Sequence, residues 1–127
     1  MGNHREEIAR FKDTYQKIGS VACPYFGGEK VYFNKKGFDH LLRKGRRLRL
    51  IDAQLERLDL IDHAKTILEM NHPYVEHRET KVAESIGRFW GLRARVNDMK
   101  IKLVIRQIGN GRKHFFSIYK IENAKRP

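Results

Sequence analysis

His40, His114, Arg106 and Ser117 are the residues of this 127-residue chain whose types suit a reaction at a phosphodiester. Histidine titrates near neutral pH, so it can take or give a proton under ordinary conditions. Cleaving RNA without a metal needs that ability: a base removes the 2′-hydroxyl proton, the oxygen attacks the adjacent phosphate, and an acid protonates the leaving 5′-oxygen. Cations and hydroxyl donors must hold the extra charge on the phosphorane. Arg106, Arg43 and Lys44 are cations for that purpose, and Ser117 supplies a hydroxyl. For each histidine a second reading stays open, that of a hydrogen-bonded structural residue.

Three of the four lie in one segment, Met99 to Tyr119, where runs rich in Ile, Val, Phe and Tyr flank Asn110-Gly111. Asn-Gly is the strongest local signal for a two-residue hairpin turn. With those two residues as the turn, Gln107 faces His114, Ile105 faces Phe116 and Leu103 faces Ile118. Side chains alternate between faces. Leu103, Ile105, Phe116 and Ile118 are therefore expected on the core side, and Lys102, Val104, Arg106, Phe115, Ser117 and Tyr119 on the other. In this register His114 is on the core side, near the turn.

His40 is followed by a basic run, Arg43, Lys44, Arg46, Arg47 and Arg49. Such a run is either a solvated face or a phosphate-binding one, and the whole chain favours the second. It carries 27 Lys and Arg against 15 Asp and Glu, a net charge of +12, which is the electrostatic footprint of a nucleic-acid binder. Arg43, Lys44, Arg46, Arg47, Lys113 and Tyr119 are the expected nucleic-acid contacts. Such contacts position a strand without reading its sequence. An acidic protein partner is expected for so cationic a chain.

Other chemistries find little footing. No Gly-x-Ser-x-Gly elbow, phosphate-binding Gly-x-x-x-x-Gly-Lys loop or dinucleotide fingerprint is present. His72 and His77 flank Pro73 at a spacing that matches neither zinc-protease helix pattern, and the carboxylates fall mainly in helical segments. Neither a metal nor another cofactor is expected. The lone Cys23 excludes an intrachain disulfide and reads as buried and inert. The charged start of the chain has no apolar signal region and no run reaches membrane-spanning length, so a cytoplasmic protein with no membrane partner is expected, delivery into another cell staying open.

The elements that must position these residues follow from periodicity. Ile8, Phe11, Tyr15 and Ile18 predict a first helix, with Asn3 as its cap and Gly19 as its stop. A loop to Glu29, a short strand at Val31 to Asn34 and a brief helix from Lys36 to Lys44 follow. Arg47 to Met70 is helical, its start either at Leu48 or, after an extended piece, near Asp52; Asn71-His72-Pro73 ends it. Glu76 to Val82 is a loop or strand entry. Ala83 to Val96 is a long strand with Gly87 and Gly91 as bulge positions, and Asn97-Asp98 turns into the hairpin. The expected architecture is a single α+β domain over 1–127, its N-terminal helices packed on one face of a mostly antiparallel, roughly four-stranded sheet that ends in a C-terminal hairpin.

Two segments carry a resemblance. Val31-Tyr-Phe-Asn-Lys-Lys-Gly-Phe-Asp-His-Leu-Leu-Arg-Lys44 and Ile101-Lys-Leu-Val-Ile-Arg-Gln-Ile-Gly-Asn-Gly-Arg-Lys-His-Phe-Phe-Ser-Ile-Tyr119 resemble the phage and prophage-associated nucleases of the barnase, EndoU, colicin and RelE-like fold. The resemblance makes residues 31–127 a nuclease-like core behind an N-terminal helix and loop at 1–30. It implies His40 as general base or acid, Arg106 as phosphate clamp, Ser117 as hydroxyl donor and His114 as a weaker second proton-transfer group. It also implies a metal-independent endoribonuclease, a toxin or mobile-element effector acting on tRNA, mRNA or ribosome-bound RNA and restrained by an antitoxin or immunity protein. The residues alone equally allow a non-catalytic RNA- or DNA-binding protein, or a ribosome-associated interaction protein.

Overall fold

The computed structural model describes residues 4–72 and 74–121. Asn3, expected to cap the first helix, and Pro73, expected to end the third, lie outside the described residues. The chain is α+β: helices α1 (His4–Ile18), α2 (Lys35–Leu42), α3 (Ile51–Asp59) and α4 (Ile61–Glu69) accompany eight strands. The strands are β1 (Ser20–Ala22), β2 (Lys30–Tyr32), β3 (Arg43–Lys44), β4 (Arg47–Leu48), β5 (Val75–Val82), β6 (Ser85–Val96), β7 (Met99–Ile108) and β8 (His114–Lys120). Six of them form one sheet in the order β1-β2-β8-β7-β6-β5, all antiparallel except β2 on β8. The sheet is wider than the four strands expected, because the segments before and after the helices both contribute: β1 and β2 at one side, β5 at the other. No helix among the described residues is long and apolar enough to cross a membrane.

The buried apolar side chains form one cluster. Phe11 and Tyr15 of α1, Phe38 and Leu41 of α2, and Leu58, Ile61, Ala64, Ile67 and Leu68 of α3 and α4 pack with Leu92, Ile101, Leu103, Ile105, Phe115 and Ile118 of the sheet. The expected single helix from Arg47 onward is two helices broken at Leu60. Leu58, Leu60 and Ile61 are all buried, and no one stripe of a straight helix faces all three inward. Leu48 and Ile51 are 60% and 53% exposed: Leu48 ends the small β3–β4 ribbon, and Ile51 is the first residue of α3.

The C-terminal hairpin departs from its expected register. Gly109, at φ +55°, makes the left-handed turn, and β8 starts only at His114, so the connection is longer than an Asn-Gly turn. Leu103 faces Ile118 and Val104 faces Ser117, but Ile105 faces Phe115 and Arg106 faces His114. Phe116 is thus an extra residue, a β-bulge. Phe115 enters the core and Phe116 the opposite face, the reverse of simple alternation. His114 moves from the expected core side to the face of Arg106. Gly87 and Gly91 carry no bulge, as β6 pairs without a register shift on both sides.

One edge is open to a helix. β8 meets β2 at a single pair, Tyr32 with His114, and beyond it α2 runs beside β8. Asn34 caps α2 by accepting a hydrogen bond from the Gly37 amide at 3.0 Å, and the Tyr15 hydroxyl donates to the Asn34 carbonyl at 2.6 Å. A Cβ on Gly37 would collide with the Phe115 carbonyl and the Tyr15 hydroxyl. Gly37→Ala is therefore expected to lower the unfolding free energy by about 1–3 kcal/mol in urea denaturation; an unchanged midpoint would mean that α2 does not lie this close to β8.

Candidate nucleic-acid interface

Residues opposite one another on neighbouring strands share a face, so the register orders the side chains that turn away from the core. One row across the sheet is Tyr32, His114, Arg106, Phe89 and Arg78. The next is Ser117, Val104, Gly91 and Glu76, and a third holds Tyr119, Lys102 and Arg93. Past the β8 edge, α2 and α3 add His40 and Arg57, and the chain between them adds Arg49. His40, Arg49 and Arg57 line a cleft of about 520 Å3 with Arg78, Phe89, Glu76, Lys102, Ser117 and Tyr119 of the sheet, whereas Tyr32, His114, Arg106 and Arg93 lie outside its lining.

Phe116 is the floor beneath the histidine. The His40 ring meets it edge-on with centroids 4.2 Å apart, the Arg106 guanidinium lies 4.6 Å from its centroid, and Phe89 packs on it at 5.5 Å. Arg49 folds back so that its guanidinium donates to the His40 carbonyl at 3.3 Å. Arg57 donates to the Ser117 hydroxyl at 2.9 Å and lies over the Tyr119 ring. Ser117 is buried, and its hydroxyl hydrogen remains able to point elsewhere. Arg78 covers Phe89 at 4.7 Å.

His40 is consequently a neutral base at neutral pH. Burial disfavours its charged form, and Arg49, Arg57 and Arg106 repel a proton there, so its pKa falls from 6.5 to about 4. The cleft's carboxylate, Glu76, is held below the usual range by hydrogen bonds from Lys102 and Arg93. Lys102 reaches it at 3.0 Å across Gly91, where a Cβ would meet the lysine stem. Among the described residues no group of three or more His, Cys, Asp or Glu is placed to hold a metal ion.

The structure brings His40, Ser117 and Tyr119 into one cleft, with Arg106 at its border. His114 is close by but occupied: its Nε2 accepts from Arg106 Nε at 3.0 Å, and burial and the Arg106 charge lower its pKa against an opposing hydrogen bond to the Arg112 backbone. It aims the arginine rather than facing the cleft. Arg43, Lys44, Arg46 and Arg47 form the exposed β3–β4 ribbon next to α2. Lys113 does not join them; it pairs with Glu29 at 2.8 Å over the rings of Phe26 and Trp90. Arg49, Arg57, Arg78, Phe89 and Phe116 were not among the residues expected from sequence to form the site. Arg49 stood in the basic run; Arg57 has no sequence signal beyond its charge.

Compared with family models, with curated proteins and with solved structures, the chain shows no match.

A histidine whose folded pKa lies below its unfolded one destabilises the fold as it charges. The unfolded chain binds the proton first, so stability falls as the pH drops from about 6.5 toward about 4. His40 is expected to titrate near pH 4 by NMR, and Arg49→Gln or Arg57→Gln to move that titration upward. A His40 that titrates near 6.5 in the wild type would show that the ring is neither buried nor faced by the three arginines.

Proposed function

We propose that this chain is a metal-independent endoribonuclease. The observation that carries the reading is a half-buried neutral imidazole, His40, set among three arginines and beside a hydroxyl in a cleft that opens on aromatic rings. A phosphate drawn to Arg49, Arg57 and Arg106 puts the neighbouring 2′-hydroxyl within reach of His40. The imidazole takes the hydroxyl proton, the 2′-oxygen bonds to phosphorus, and the bond from phosphorus to the 5′-oxygen breaks. The imidazolium then gives its proton to the departing 5′-oxygen, leaving a 2′,3′-cyclic phosphate and a 5′-hydroxyl. Arg57 and Ser117 stabilise the charge that builds on the equatorial oxygens. Arg49, Arg57, Arg78 and Lys102 repel a free divalent cation, which supports chemistry without one.

The family resemblance extends this proposal to a toxin or mobile-element effector restrained by an acidic antitoxin or immunity protein. A non-catalytic RNA- or DNA-binding protein is the second reading, favoured by the exposed Arg43, Lys44, Arg46 and Arg47 ribbon, which holds phosphates whether or not a bond is cut.

Purified protein in EDTA is expected to cleave single-stranded RNA, and His40→Ala to lower kcat/KM by about 10²–10⁴-fold. kcat/KM, which reports the free enzyme, should be sustained at pH 7 and fall as the pH passes below His40's value of about 4. Salt-dependent RNA binding with no cyclic-phosphate product would replace the catalytic reading by the second one.

A further inference from the structure

A second cavity, of about 420 Å3, lies on the same sheet face as the first and shares none of its residues. Tyr32, Asn34, Ile108, Arg112 and His114 line it. Arg112 is exposed, and its guanidinium carbon lies 4.5 Å over the Tyr32 ring centroid, so a guanidinium and an aromatic ring stand together at the cavity. Guanidinium planes and aromatic rings are the surfaces on which unpaired bases stack. Lys36, at the exposed start of α2, is near enough for its charge to act on His114. This cavity therefore pairs a stacking surface with positive charge, the two things a nucleotide needs.

Its position relates it to the cleft. Val104 lines the cleft and Ile108 the second cavity, four residues apart on β7, or roughly 13 Å. Arg106 lies midway between them on the same face, held by His114 and lying over Phe116. Two cavities joined by one clamped guanidinium suit a strand whose phosphate crosses at Arg106 and whose bases fall to either side. We propose that the second cavity binds an unpaired nucleotide next to the one in the cleft, so that the ligand is a single strand laid along β7. This rests on the RNA reading of the cleft. A duplex does not fit the role, since its bases are stacked on each other and present no free face to Arg112.

The test uses 2′-O-methyl RNA, which lacks the nucleophile and so reports binding alone. Fluorescence anisotropy would compare a labelled octanucleotide, a mononucleotide and a blunt duplex on the wild type, Tyr32→Ala, Arg57→Ala, Arg112→Ala and Arg112→Lys. Arg112→Ala should weaken octanucleotide binding by about tenfold and leave mononucleotide binding in the cleft unaffected. Arg112→Lys should keep the salt dependence but not the full affinity, since lysine keeps the charge and loses the plane. An octanucleotide bound equally by wild type and both Arg112 variants, yet weakened by Arg57→Ala, would overturn the second site and leave the cleft reading standing. A duplex bound as tightly as the single strand would overturn it too. Failure of the wild type to bind any of the three would overturn both readings together.

Discussion

The close approach of α2 to the open edge of β8 is the contact on which the candidate site depends. Gly37 has the Phe115 carbonyl and the Tyr15 hydroxyl where a side chain would otherwise be, and Asn34 caps the helix just before it. Phe38 and Leu41 then enter the core. His40, three residues after Gly37, falls on a neighbouring position one turn along the helix and arrives over Phe116. This requires that β2 pair with β8 only through Tyr32, its last residue, and His114, the first of β8. A longer β2 would cover the edge with a strand and leave no place for the helix that carries the histidine.

The bulge in β8 completes what the helix begins. A regular strand would send Phe116 into the core and Ser117 to the opposite face. The extra residue puts both on the face away from the core, with Phe116 under His40 and Ser117 beside Arg57. Phe115 fills the core position instead, stacked on Phe33 with centroids 5.0 Å apart and meeting Tyr15 at 5.8 Å. Two consecutive aromatics thus serve opposite sides of one sheet, one for packing and one for the cleft.

That division explains what was legible in the sequence. Helix α1 was readable because Phe11 and Tyr15 recur at helical spacing and both are buried. The Asn97-Asp98 turn was readable because the two residues tolerate positive φ, and they adopt +50° and +65°. The bulge was not readable, because Phe115 and Phe116 are chemically the same and only three-dimensional packing decides which turns inward. The break at Leu60 was hidden for a similar reason, since Leu58, Ile61, Ala64 and Leu68 keep helical spacing across it and only packing shows that Leu60 is buried as well. His40, Ser117 and Tyr119 were found by chemical type. Arg57 and Arg78 are arginines in a chain rich in them, and nothing local distinguishes the two that face the cleft.

The distribution of charge gives the cleft its character. Several cations on or beside the sheet have carboxylate partners: Lys102 and Arg93 share Glu76, Arg88 has Glu79, and Lys113 has Glu29. Among the described residues Arg49, Arg57 and Arg106 form no ion pair; their partners are a carbonyl, a hydroxyl, an imidazole and aromatic rings. Burial lowers the pKa of all three, which is the mark of positive charge held where it is poorly solvated. At an effective dielectric constant of about 20, two like charges 4 Å apart repel by about 4 kcal/mol, so such a group is relieved by an anion far more than an exposed one would be. The same relief acts on His40. Its proton affinity is depressed by these three cations, and an anion that neutralises them raises it. By linkage, binding the anion and binding the proton favour each other. An imidazole of low basicity in the empty cleft therefore becomes more basic when an anion is held by the three arginines.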